Sequence, residues 1–147
     1  MKILYFSVIE SNAGWGAEWY VNRALRNIGV ETVCIDYRHH RHRVARRVHA
    51  RLGEGPFDAM LVQRGDRFPL DVVQACGRPR LLWVSELVSR QHDHDHLIAA
   101  GEFDRIWVRG PACRRELRQR GWTDRATVDV MLSGCDPEFH FREPGAD

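Results

Sequence analysis

The sequence predicts one α/β domain, with a six-stranded, mainly parallel sheet and helices on both faces. Three observations lead there. Short apolar runs rich in Val, Ile and Leu recur along the chain, as in strands covered on both sides. Between them lie segments with apolar residues near 3.6-residue spacing, several closed by glycine. The connections are short, which favours parallel strands joined by right-handed crossovers.

Each element has its own justification. Lys2 to Val8 reads as the first strand; its basic-then-apolar start lacks the length and small-residue cleavage site of a signal peptide. Ser11 to Gly16 is a polar, glycine-bearing turn. Ala17, Tyr20, Val21, Ala24, Leu25 and Ile28 then form one apolar helical stripe, closed by Gly29. Val30 to Tyr37 is the second strand, with β-branched Val33 and Ile35. Arg41 to Leu52 is a helix with Val44, Ala45, Val48 and Leu52 turned to the sheet, ended by Gly53, Gly55 and Pro56. Phe57 to Gln63 is the third strand, and Pro69 opens a short helix through Ala75. Arg80 to Ser85 is the fourth strand, followed by a helix from Ser89 to Ala100 closed by Gly101. Phe103 to Val108 is the fifth strand, and Pro111 starts a helix that Gly121 stops. Thr127 to Leu132 is the sixth strand, and Ser133 to Pro144 is irregular. Such strand–helix alternation is Rossmann-like.

The length of 147 residues is that of one domain, and 44% hydrophobic residues favour a packed core over disorder. No apolar run approaches the roughly 20 residues needed to span a bilayer, so a cytoplasmic protein is expected. Cys34, Cys76, Cys113 and Cys135 form no C-x-x-C pair, which argues against a zinc knuckle or redox motif; reduced, mostly buried thiols are expected. The net charge is only +2, yet six arginines and four histidines fall between Arg38 and Arg51 with no acid among them. This stretch is either a solvated helix face or a patch for nucleic acid or membrane phosphate, open to peripheral membrane contact.

In an open parallel sheet, ligands gather at the carboxyl ends of the strands. After the first strand, Gly14, Trp15 and Gly16 precede a helix N-terminus. Glycines there let backbone N–H groups approach an anion that the helix dipole favours; the other reading is a plain tight turn. The pattern is neither G-x-G-x-x-G nor a P-loop. After the third strand, Arg64 and Asp66 stand in Gln63-Arg64-Gly65-Asp66-Arg67; Arg64 can take a phosphate or carboxylate bidentately, or be surface charge. Glu86 ends the fourth strand, placed to accept a sugar-hydroxyl hydrogen bond, act as a base, or stabilise the next helix N-terminus. Arg109 follows the fifth strand. In His92-Asp93-His94-Asp95-His96, His92 and His96 share a face at i and i+4, but a zinc site needs a third ligand, so a solvated helix face is expected and no metal is assigned.

Three stretches carry a family resemblance: Met1 to Tyr5 with Gly14 to Glu18 and Ala24 to Val33; Phe103 to Val108 with Pro111 to Gly121; and Ser133-Gly134-Cys135-Asp136-Pro137-Glu138-Phe139-His140-Phe141. In order and spacing they resemble the N-terminal, acceptor-side domain of GT-B-type glycosyltransferases. Ser133 and His140 stand where the family's exit motif usually has asparagine and phenylalanine. Phe57 to Glu86 resembles the acceptor domain of spore-maturation-type relatives. The resemblance implies a domain over 1–134, and 135–147 as a linker-like tail toward a second domain absent from this chain. It implies a nucleotide-sugar donor, a saccharide or lipid acceptor, no cofactor, and a second lobe or partner chain that completes the cleft. Gly14, Trp15 and Gly16 would face the donor diphosphate, while topology puts Arg64, Asp66, Glu86 and Arg109 on the acceptor side. A lone lobe is expected to be inactive. The alternative is a non-enzymatic module binding a nucleotide, polyanion or protein partner.

Overall fold

The computed structural model describes residues 1–10, 16–39, 42–77, 79–132 and 134. Strands β1 (Lys2–Ser7), β2 (Glu31–Asp36), β3 (Ala59–Gln63), β4 (Arg80–Val84), β5 (Arg105–Val108) and β6 (Thr127–Val130) form one sheet. Its order is β2-β1-β3-β4-β5-β6 and every pairing is parallel. The helices are α1 (Ala17–Asn27), α2 (Val44–Leu52), α3 (Leu70–Ala75), α4 (Asp95–Ala99) and α5 (Pro111–Gln119). The predicted Rossmann-like α/β fold is the one observed.

Strand alternation divides the core in two. Leu4, Phe6, Met60, Val62, Leu82, Val84, Ile106 and Val108 point to one face. There they pack with Val44 and Val48 of α2, Val72 and Val73 of α3, Leu97 and Ile98 of α4, and Cys113 and Leu117 of α5. Ile3, Tyr5, Leu61 and Trp83 point to the other face, against Val21 and Leu25 of α1. Phe68 sits edge-on to both Phe6 and Tyr37, at centroid distances of 4.9 and 5.2 Å, and ties the β3–α3 loop to the first face. Burying aromatic or aliphatic side chains of this kind contributes roughly 1.5–3 kcal/mol each.

Several expected boundaries shift. The apolar stripe of α1 is wider than its contact: Val21 and Leu25 pack inward, Ala17 and Ala24 are exposed, and Ile28 is 77% exposed. The place of an apolar residue on the packed side is taken by Glu18, buried beside Arg64. The helix expected from Ser89 contracts to Asp95–Ala99. The Asp93 carbonyl accepts the Arg67 N–H at 2.8 Å, and this bond to another loop fixes the chain before α4 outside the helical ladder. Helix α2 begins at Val44 rather than Arg41, which lies outside the described residues. Cys76 and Cys113 are buried free thiols and Cys34 is part-buried; Cys135 lies outside the description. No described helix is long and apolar enough to cross a membrane.

Candidate functional site at the carboxyl edge

The connection from β1 runs to β2 on one side, and that from β3 runs to β4 on the other. The carboxyl ends of β1 and β3 therefore flank the topological switch point, where open α/β sheets bind ligands. The residues converging there are polar although the sheet beneath is apolar.

Tyr5, Ser7 and Gln63 lie in register on the α1 face of the two strands. The Tyr5 hydroxyl sits between Gln63 Oε1 and the Glu18 carbonyl oxygen, the latter at 3.2 Å. Burial and then the nearby Glu18 carboxylate push its pKa far above the usual phenol range, so it remains a neutral donor. Gln63 Nε2 and Ser7 Oγ are fully buried with no hydrogen-bond partner among the described residues.

Arg64 is the hub. Its guanidinium lies 3.4 Å from Glu18 Oε1, 3.5 Å from Asp66 Oδ1 and 3.3 Å from Glu86 Oε1. The Glu18 side chain is 4% exposed and that of Glu86 40%, so the cluster runs from a sealed carboxylate to one facing solvent. Asp66 also accepts from the Tyr37 hydroxyl at 2.9 Å, and takes Arg38 through Nε at 2.7 Å and Nη2 at 2.5 Å. Burial, with Asp66 adding to it, raises the Tyr37 pKa far above its ordinary value. Counted together, Arg38 and Arg64 against Glu18, Asp66 and Glu86 leave the cluster at −1.

Backbone geometry holds this loop. Arg64 (φ 73°), Gly65 (φ 79°) and Arg67 (φ 54°) are all left-handed. Two non-glycine residues in that region within four positions store strain that surrounding contacts must overcome. Gly65 is required twice over: a Cβ there would meet Leu97 Cδ1 at 3.0 Å and Leu82 Cδ1 at 3.1 Å. After β2, the Asp36 carboxylate accepts the N–H groups of Arg38 (3.0 Å) and His39 (2.8 Å), an Asx turn that aims Arg38 back at Asp66.

Of the residues expected from sequence, Arg64, Asp66 and Glu86 come together. Arg109 follows β5 next to the tip of β4, is exposed, and joins no ion pair among the described residues. Gly16 caps α1 at φ 101°, on the same edge as Arg64, since Glu18 two residues on touches it. Gly14 and Trp15 lie outside the described residues. Glu86 starts no helix; its partner is Arg64. Sequence reasoning missed Glu18, Tyr37 and Gln63, and placed Arg38 in the basic stretch without its pairing to Asp66. The one available signal was an acid on the second residue of a helix, within reach of an arginine at a strand tip.

The histidine run also departs from expectation. His92 precedes α4, so it and His96 do not share a helix face. His92 Nδ1 pairs with Asp95 (2.9 Å) and His96 Nε2 with the Phe68 carbonyl (2.8 Å). His94 is buried, not solvated, and desolvation lowers its pKa against the opposing pull of Asp95 and Asp66. Among the described residues, no three His, Cys, Asp or Glu side chains stand together as a metal-binding set.

In the arginine-rich stretch, α2 turns Val44 and Val48 inward while Arg43, Arg46 and Arg51 are exposed. Arg47 lies 3.8 Å from Glu10, and Arg51 bonds Glu54 at 2.8 Å through both carboxylate oxygens. His40 and Arg41 lie outside the described residues. Comparison with protein-family models, with curated proteins and with solved structures finds no match to this chain.

Proposed function

We propose that this chain is the acceptor-side lobe of a GT-B-type glycosyltransferase, with the carboxyl edge of its sheet receiving a saccharide or lipid-linked saccharide acceptor. The observation that carries the reading is the cluster of Glu18, Arg64, Asp66 and Glu86 at the switch point. Carboxylates beside a guanidinium present acceptors and donors at the spacing of neighbouring sugar hydroxyls. The net negative cluster suits a hydroxylated ligand better than a bare anion. Buried Glu18 and part-buried Asp66 hold Arg64, and Arg64 holds the solvent-facing Glu86. In this reading Glu86 accepts the hydrogen bond of the reacting hydroxyl and Arg109 borders the same opening.

Departure of a nucleoside diphosphate builds negative charge, which needs fixed N–H dipoles in a closed cleft. The α1 N-terminus at Gly16 supplies one side of that cleft in this proposal, and a second lobe supplies the other. The lone lobe then binds acceptor without turning over donor.

The test is an amide-shift NMR titration with a panel of neutral mono- and disaccharides, alongside an assay of free nucleotide released from nucleotide sugars. Shifts at Asp66, Glu86 and Arg109 that disappear in Glu86→Gln, with negligible nucleotide release, are the expected result. A panel that leaves those three amides unmoved overturns the acceptor assignment, and nucleotide turnover by this chain alone overturns the division into lobes.

A further inference from the structure

Beside the hub, the loops that follow β2, β3 and β4 enclose a cleft of about 380 Å³ lined by Tyr37, Arg38, Asp66, Arg67 and Asp93. It is separate from the Glu18–Arg64–Glu86 contacts, with Asp66 standing between the two. The Asx turn at Asp36 delivers one guanidinium, and the left-handed Arg67 backbone delivers the other.

Each arginine is braced by a carboxylate on one side. Arg38 spends Nε and Nη2 on Asp66, which leaves Nη1 without a partner among the described residues. Arg67 lies with Nε 3.2 Å from Asp93 Oδ2, and its backbone N–H is tied to the Asp93 carbonyl at 2.8 Å. Neither of its terminal nitrogens makes a hydrogen bond among the described residues, and its side chain is 65% exposed. The contacts with Asp66 reduce the rotamer freedom of Arg38, the usual penalty for holding a long side chain ready, while Arg67 is placed by its backbone bond and one exposed ion pair. Asp66 accepts hydrogen bonds from Tyr37 and Arg38 and lies 3.5 Å from Arg64 Nε, and the charges of Asp66 and Asp93 balance those of the two arginines in the lining. What the cleft presents is therefore the open edges of two guanidinium groups in a lining of no net charge.

We propose that this cleft is a phosphate site, taking a phosphomonoester or phosphodiester group through Arg38 and Arg67. Planar guanidinium groups match tetrahedral phosphate oxygens, and a cleft confines the anion where its charge is less screened than on an open surface. The inference deepens the reading of the neighbouring edge and rests on it in one respect: it makes the acceptor a phosphorylated saccharide or a saccharide on a lipid phosphate.

The experiment is an amide-shift titration of this chain with inorganic phosphate, ionic strength held constant with sodium chloride. A parallel arm measures sedimentation with vesicles of phosphatidylcholine alone or mixed with phosphatidic acid. Saturable shifts at Tyr37, Arg67 and Asp93 are expected. Arg67→Gln should weaken binding at least roughly tenfold, as loss of a charge-assisted fork implies. Arg67→Lys should fall between the two, and Arg105→Gln, far along the sheet at its amino end, should bind as the parent does. Sedimentation with phosphatidic acid vesicles that Arg67→Gln abolishes assigns the phosphate to a lipid; binding of free phosphate without sedimentation assigns it to a soluble ligand. Unsaturable shifts spread over the arginines of α2, or binding indifferent to Arg67→Gln, overturn the proposal. Phosphate binding with no saccharide response leaves this site standing and removes the transferase reading; the converse removes the site alone.

Discussion

Replacing Arg64 by Met tests whether the hub holds the carboxyl edge together. Both residues bear a Cβ, so the left-handed backbone at φ 73° is equally strained before and after, and the change isolates the charge. At 3.4 Å, two unit charges attract by ~1 kcal/mol in water and ~5 kcal/mol at an effective dielectric of about 20. The Glu18 side chain is 4% exposed and that of Arg64 26%, which puts the pair between these limits. Removing Arg64 takes the nearby cation from a buried carboxylate, for which about 3 kcal/mol is a reasonable cost. Glu86 is too exposed to add much. Glu18→Gln leaves no buried charge and should cost about 1 kcal/mol in lost hydrogen bonding. In Arg64→Met/Glu18→Gln nothing charged is stranded, so the double variant should lie near 2 kcal/mol, giving a coupling of about 2 kcal/mol in the cycle. Urea unfolding followed by circular dichroism reads all four corners. Additive losses, or a cost below about 1 kcal/mol for Arg64→Met alone, would mean that Glu18 is solvated or held by other groups, and the account of the hub would fail.

Three more outcomes follow from the same structure. Gly65→Ala forces a Cβ to 3.0–3.1 Å from Leu97 and Leu82 at φ 79°; it should cost ~2–4 kcal/mol and lower Tm by roughly 6–12 °C in a thermal melt, with a shift under about 2 °C contradicting the tight approach. The Arg80 side chain, 11% exposed, donates to the Cys76 and Gln74 carbonyls at the end of α3 and to Glu102 at 2.7 Å; Arg80→Met should therefore destabilise by ~2–4 kcal/mol in urea, without altering saccharide shifts at the opposite edge. His94 has a folded-state pKa below its ordinary 6.5, so the unfolded chain takes up the proton first: its contribution is complete above about pH 6.5 and is lost as pH falls through that value toward the folded pKa. His94→Leu should flatten that part of the urea-midpoint profile, and identical profiles for the two proteins would show that His94 is not the group responsible.

Legibility from sequence tracked how local each determinant is. All six strands and five helices were readable, because alternation, helical spacing and glycine or proline punctuation are written within ten or so residues. The helix before β5 was overextended because its start depends on a long-range bond, from the Arg67 N–H to the Asp93 carbonyl. His94 was read as solvated because nothing in His92-Asp93-His94 distinguishes the one histidine that turns under the β3–α3 loop. Arg64, Asp66 and Glu86 were found through a topological rule about strand ends, which needs no contacts. Glu18 was not found, because a charge hidden on the packed side of a helix breaks the apolar pattern and is explained only by its partner on another strand.

That hidden charge changes what the edge can bind. Taken from sequence, glycines at a helix N-terminus beside an arginine form a rim for anions. In the fold, the same arginine is claimed by three carboxylates, and an incoming phosphate would have to displace Glu86 while remaining near Glu18 and Asp66. Like charges at such distances repel by several kcal/mol where solvent is excluded. The cationic capacity lies beside the hub, at Arg38 after β2 and at Arg67 three residues beyond Arg64, whose carboxylate partners hold one side of each group and leave other N–H groups without partners among the described residues. The edge thus separates two jobs along a few residues: hydroxyl recognition at the negative hub, and anion recognition in the adjoining cleft, with Asp66 bonded to both.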